Sequence, residues 1–151
     1  MSWWIRSAER TVTDTVPASP AEVRAFYVDL DNLKLLHPFL VSVHSLGRVD
    51  GPGGYTQTYR IRENVPLRGL TLPIRFEAEL TVPTDGDVVA ESRQFPQVRL
   101  RTVTAFEPHA AGTFVTERIH FEAPRPLAGF TIQQGCKAHQ EMLAGIARHF
   151  S

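Results

Sequence analysis

A single cysteine, Cys136, stands among 151 residues, so no internal disulfide can form and no cysteine-based metal spacing exists. No run approaches the ~18 apolar residues that a membrane span needs. The apolar cluster nearest the start, Trp3-Trp4-Ile5, is far too short for a signal segment. Basic blocks are missing too: Lys plus Arg total 16, Asp plus Glu total 16, and the formal charge is zero. Nucleic-acid binding by phosphate neutralisation is therefore not expected. Nucleophile elbow, phosphate loop and dinucleotide fingerprint are absent. These absences lead to the expectation of a cytoplasmic protein without cofactor, metal or membrane contact, forming one domain over residues 1–151.

Apolar residues, 42% of the chain, suffice for a real core with room for a cavity. Ala8 to Val16 reads as a strand. Ser19-Pro20-Ala21-Glu22 then combines an N-cap, a proline at the first helical position and a capping-box glutamate. Val23, Phe26 and Tyr27 share a face of that helix. Asp31 or Asn32 can cap a second short helix through Leu33, Leu35 and Leu36, ended by His37-Pro38.

From Phe39 to Ala123 the period shortens to two, with turns at Asp50-Gly51-Pro52-Gly53-Gly54 and Asp85-Gly86. Leu70, Leu72, Ile74, Phe76, Ala78, Leu80 and Val82 fall on one face; Arg75, Glu77, Glu79 and Thr81 on the other. Pro126 to Phe150 forms a helix of roughly 25 residues, about 37 Å long. Ile132, Gly135, Cys136, His139, Met142, Leu143, Ile146 and Phe150 make its apolar stripe. The predicted fold class is α+β. A curved antiparallel sheet of about seven strands wraps around the long C-terminal helix, with two short helices after the first strand. A cavity between sheet and helix is the natural by-product.

Several stretches carry a resemblance: Val16-Pro17-Ala18-Ser19-Pro20-Ala21-Glu22-Val23, then Asp29-Leu30-Asp31-Asn32-Leu33 and His37-Pro38-Phe39. Gly112-Thr113 follows, opening a strand through Thr116-Glu117 to Ala123-Pro124, and finally Ala138-His139 with Met142-Leu143. With this element order the chain resembles the START/Bet v 1-type (SRPBCC) superfamily, the polyketide cyclase/dehydrase and lipid-transport group. The resemblance implies the helix-grip fold and a hydrophobic ligand such as a lipid, sterol, polyketide or hormone. Some members are cyclases, aromatases or hydratases, and many are binders without a reaction. Fold alone does not decide between them.

Polar residues on otherwise apolar faces are the candidate site. His139 sits at the centre of the helical stripe, as a core histidine or as a pocket group that holds a ligand oxygen or moves a proton. Glu117 shares a strand face with Val115, Ile119 and Phe121, so it is either inward, and then paired or raised in pKa, or bridged to an arginine at the rim; in an enzyme it would exchange protons with His139. Tyr55, Gln57, Tyr59 and Glu63 form a polar-aromatic stripe suited to an oxygenated apolar ligand. His37 lines the cavity mouth or caps an exposed corner. The expected ligand-binding set is Tyr55, Gln57, Tyr59, Phe76, Glu117, Ile119, Gly135, His139 and Met142. His139, Glu117 and Tyr59 are the catalytic candidates. Gly135 costs the helix about 1 kcal/mol relative to Ala, so a close sheet contact, a kink or a ligand should compensate.

Two functions fit: carriage of a hydrophobic small molecule, or cyclase, dehydratase or aromatase chemistry upon it. Trp3-Trp4 either touches a membrane interface, where Trp favours the headgroup region, or packs on the domain or on a second subunit, the last making a homodimer.

Overall fold

The protein, seen in a computed structural model, is described over residues 3–34, 36–37 and 39–151. Seven antiparallel strands form one sheet: β1 (Ile5–Val16), β2 (Leu40–Gly51), β3 (Gly54–Leu67), β4 (Leu70–Pro83), β5 (Val88–Gln94), β6 (Val98–His109) and β7 (Gly112–Pro124). Their spatial order is β1-β7-β6-β5-β4-β3-β2. Helices α1 (Pro20–Val28) and α2 (Leu30–Leu33) follow β1, and α3 (Arg125–His149) closes the chain. This is the helix-grip fold.

Local chemistry sets these elements. The Ser19 hydroxyl accepts the Glu22 N–H at 3.3 Å and donates to the Glu22 carboxylate at 3.2 Å. Glu22 thus meets the cap through the hydroxyl rather than through the backbone N–H that a full capping box would use. The cap of α2 differs from expectation. Asp29, not Asp31 or Asn32, accepts the Asp31 N–H, at 3.1 Å. The helix lasts one turn and ends at Leu33. The expectations placed on Leu35 and Pro38 lie outside the described residues.

β1 starts at Ile5, earlier than the Thr- and Val-rich pattern suggests, because β7 runs on to Pro124 and pairs with it in register. Pro66 does not end β3, which pairs with β4 as far as Leu67–Leu70. The two turn residues, Arg68 (φ 48°) and Gly69 (φ 80°), both adopt positive φ, the geometry of a tight hairpin.

Packing follows the alternation. Leu80 and Val82 on β4, Val98 and Thr102 on β6, and Val115, Ile119 and Phe121 on β7 are buried. From α3, Ala128, Ile132, Ala138, Met142, Leu143 and Ile146 fill the concave face, with β1 and β7 as the helix's main neighbours. Burial of a side chain of that size contributes about 1.5–3 kcal/mol. Gln140 adds a hydrogen bond to the Thr13 carbonyl at 3.1 Å. The far end of β4 behaves differently: Leu70 and Leu72 are exposed, since their hairpin extends past the helix. No helix among the described residues is long and apolar enough to cross a membrane.

Gly135 is explained by a close approach. A Cβ there would stand 2.6 Å from the ring of Phe121, which is fully buried. The helix can approach β7 at this point only without a side chain.

Candidate functional site

Alternation along β7 turns Glu117 inward between Val115 and Ile119, with 0% exposure. Its cross-strand partner on β6 is Thr104, also fully buried. Such a carboxylate is tolerable only if its oxygens are occupied. Here they are. Oε1 lies 2.5 Å from Nδ1 of His139, and Oε2 accepts the hydroxyl of Tyr27 from α1, with Thr104 Oγ1 at 3.5 Å. Tyr27 and Thr104 are themselves 2.9 Å apart. Three elements, α1, the sheet and α3, thus meet on one carboxylate.

The electrostatics favour an ionised pair. Burial by itself would raise the Glu117 carboxyl, but the charge and hydrogen bond of His139 and the bond from Tyr27 outweigh it and hold it below the ordinary range. Burial would likewise lower His139, yet the charge and hydrogen bond of Glu117, with help from Glu63, raise it above the usual histidine value. Burial, then Glu117, push the Tyr27 phenol well up, so it stays a donor.

His139 Nδ1 is committed to Glu117, while Nε2 has no hydrogen-bond partner among the described residues. The ring lines a cavity of about 480 Å³ between sheet and helix. His37, Glu63, Phe76, Leu100 and Gly135 share that wall, and Leu72, Phe95 and Leu127 frame its mouth. The His37 and His139 rings stand 6.2 Å apart, edge to face. Burial and then the His139 charge drive His37 down to about 3, so it is neutral near pH 7. Burial raises Glu63 to about 7, only partly offset by His139. The polar end of the cavity therefore holds an anchored histidine biased toward its charged form, a neutral imidazole and a carboxyl that titrates at about 7.

Of the residues expected at the site, Phe76, Gly135 and His139 line this cavity. Glu117 stands behind His139, sealed from it, as part of the wall's support. Ile119 and Met142 are core residues at 1% and 4% exposure. Tyr59 is buried in the core away from the cavity, its phenol pushed up by burial and then by Asp29. Tyr55 and Gln57 do not reach it either. Arg48 sits 3.7 Å above the Tyr55 ring, and Gln57 donates to Ser45 at 2.9 Å.

Sequence reasoning missed Tyr27, which reads as one more apolar position on α1. The signal was its hydroxyl, which needs a partner when buried. His37, one of whose readings was an exposed corner, is a cavity residue. A second, shallower hollow of about 740 Å³ lies between α1 and the β4–β5 turn. Exposed Asp85, Asp87 and Glu107 line it together with Arg24, and Arg24 is taken up by the Pro83 and Gly86 carbonyls. It lacks the convergence of buried ionisable groups. Among the described residues, no group of three or more His, Cys, Asp or Glu could hold a metal ion.

A seven-stranded antiparallel sheet gripping a long C-terminal helix defines the helix-grip class of folds. Within it, the chain belongs to the family described as polyketide cyclase / dehydrase and lipid transport, whose pattern it matches over residues 7–150. No curated protein matches it in sequence.

Among solved structures, TTHA0849 from Thermus thermophilus superposes with a TM-score of 0.71 at 19% identity, covering 95% of this chain and 94% of that one. The di-domain ARO/CYC StfQ from the steffimycin biosynthetic pathway gives 0.78 at 10% identity, covering 95% of this chain and 50% of that one. The Zhui aromatase/cyclase from Streptomyces sp. R1128 gives 0.56 at 13%, covering 95% and 90%. At such identities the likeness is one of fold.

Proposed function

We propose that the protein binds a largely apolar, oxygen-bearing small molecule in the cavity between sheet and helix. One observation carries this: the Nδ1 side of His139 is fixed by a buried carboxylate while its Nε2 side is left for the cavity. A rigidly held histidine ring, biased toward its charged form, beside Phe76 and Leu100 suits a carbonyl or hydroxyl on a hydrophobic skeleton. Family membership and the folds of the ARO/CYC neighbours support the same ligand class.

Ser92 also lines the cavity, from β5. Ser92→Trp should fill it and lower affinity for the fluorescent probe 1-anilinonaphthalene-8-sulfonate about tenfold or more. Equal probe binding by both proteins would place the ligand elsewhere. Native mass spectrometry of the freshly purified protein then reports the mass of any retained molecule.

A second reading, acid–base chemistry on the bound molecule, is favoured by Glu63. A carboxyl near pH 7 can take and return a proton, and His139 would polarise the carbonyl beside it. Tyr59, expected in that role, does not line this cavity; its phenol faces the Asp29–Asp31 turn instead. Retained probe binding with lost turnover in Glu63→Gln distinguishes this reading from simple carriage.

A further inference from the structure

The cavity mouth lies toward one end of the sheet, where β1, β4, β6 and β2 start and β3, β5 and β7 finish. That end exposes large apolar side chains that nothing in the fold requires to be exposed. Phe95 is 91% exposed, Trp3 78% and Leu70 74%, with Leu72 and Leu127 half-covered beside them. Leu72, Phe95 and Leu127 belong to the rim itself. Arg125 holds the adjacent N-terminal segment through the Trp3 and Trp4 carbonyls.

The charges are sorted in the same direction. Around the mouth stand Arg68, Arg75, Arg93 and Arg125, all exposed, with Arg62 directly opposite Arg75 across the β3–β4 pair. The acids at this end are Glu63, which faces the cavity, Glu77, which stands opposite Arg93 across the β4–β5 pair, and Glu122, which lies 3.2 Å from His120. The opposite end of the sheet carries Asp14, Asp50, Asp85, Asp87 and Glu107, with Asp50 paired to Arg48 at 3.0 Å, Asp87 to Arg118 at 3.9 Å, and Arg24 beside Asp85. Arginine thus outnumbers acid at the mouth end, so the chain, though of zero net charge, is more positive where it is also greasy.

We propose that the mouth end docks on an anionic lipid surface, with Phe95, Trp3 and Leu70 entering the interface and the arginine ring facing the headgroups. Exposed aromatics ringed by arginine fit the headgroup layer, where apolar burial and attraction to anionic lipid add together. This takes up the interfacial reading of Trp3-Trp4 against the expectation of no membrane contact that composition and net charge suggest. An acidic protein would satisfy the arginines, but burying isolated aromatic tips does not need one. Docking requires only the exposed rim, so it stands or falls separately from what the cavity holds.

The test is co-sedimentation of the intact protein with vesicles of equal parts phosphatidylglycerol and phosphatidylcholine, and with pure phosphatidylcholine vesicles. Binding to the mixed vesicles is expected, weakening with salt. Phe95→Ser should lower the partition coefficient about tenfold, and Arg75→Gln about fivefold. Val49→Ser, at an equally exposed valine on the far end, should leave it unchanged. The replaced side chains are exposed, and circular dichroism verifies that each variant is folded. No binding to mixed vesicles at low salt overturns the proposal, as does binding that neither rim variant alters. Retention on immobilised polyglutamate without vesicle binding would overturn it in favour of an acidic protein partner.

Discussion

Replacing Glu117 by Gln keeps the shape of the buried side chain and removes its charge. In the wild type, His139 titrates above its unfolded value, so its contribution is complete below ~6.5 and fades as pH rises through the folded pKa. Glu117 titrates below its ordinary value of 4.5, so its contribution is present above that pH and is lost only at lower pH. Between those limits both groups stabilise the fold.

The variant reverses half of this. Without the carboxylate, burial dominates at His139 and the folded protein must hold it neutral. The variant then loses stability on acidification just where the wild type retains it. Breaking a buried pair by removing one partner costs about 3–5 kcal/mol, and that loss should be seen near about pH 5.5, where an unpaired imidazole would otherwise be charged. Above the folded pKa of His139, where the substituted amide can still accept the Tyr27 hydroxyl, the cost should shrink to about 1 kcal/mol. Glu63 and His37 titrate in both proteins and largely cancel in the difference. Urea unfolding followed by circular dichroism across this range measures it, with the His139 ring proton followed by NMR. A difference that is flat with pH, or that grows toward alkaline pH, would refute the ionised pair.

Two further outcomes follow from the same geometry. Glu63 is raised from 4.5 to about 7 in the folded state, so wild-type stability from this group falls as pH rises through that window, by about 3 kcal/mol in all. Glu63→Gln escapes that loss, and its advantage in denaturant midpoint should appear above about pH 5 and level off above about pH 8. Gly135→Ala gains about 1 kcal/mol of helix propensity, yet its Cβ would meet the Phe121 ring at 2.6 Å. Overpacking should leave it about 1–2 kcal/mol less stable, and a thermal scan showing a higher melting temperature would contradict the close approach.

The helix-grip arrangement was legible because each element carries its own local signature. Ser19-Pro20 starts α1, the alternation over β4 and β7 gives the sheet, and the stripe on α3 gives the helix it holds. The inward side of β7 could be read from Val115, Ile119 and Phe121, and Glu117 came with them by parity. Pairing Glu117 with His139 was legible as chemistry but not as distance. Tyr27 could not be told from an ordinary apolar helix position, because periodicity does not record what lies across a fold. That Tyr55 and Gln57 lie outside the lining of this cavity has a related reason. A period of two says that residues share a face but not how far along the strand the cavity extends, and this cavity reaches Glu63 while stopping short of them.

The pairing of β1 with β7 has a consequence in time. The first strand of the chain finds its hydrogen-bonding neighbour in the last one, from Ile5–Pro124 to Val16–Thr113. During synthesis the β1 edge must remain open until nearly the whole sheet has been made, and closing so long a loop is intrinsically slow. Glu117 on the last strand meets Tyr27 from an early helix and His139 from the final one. The buried carboxylate thus acquires its partners only as the fold is completed.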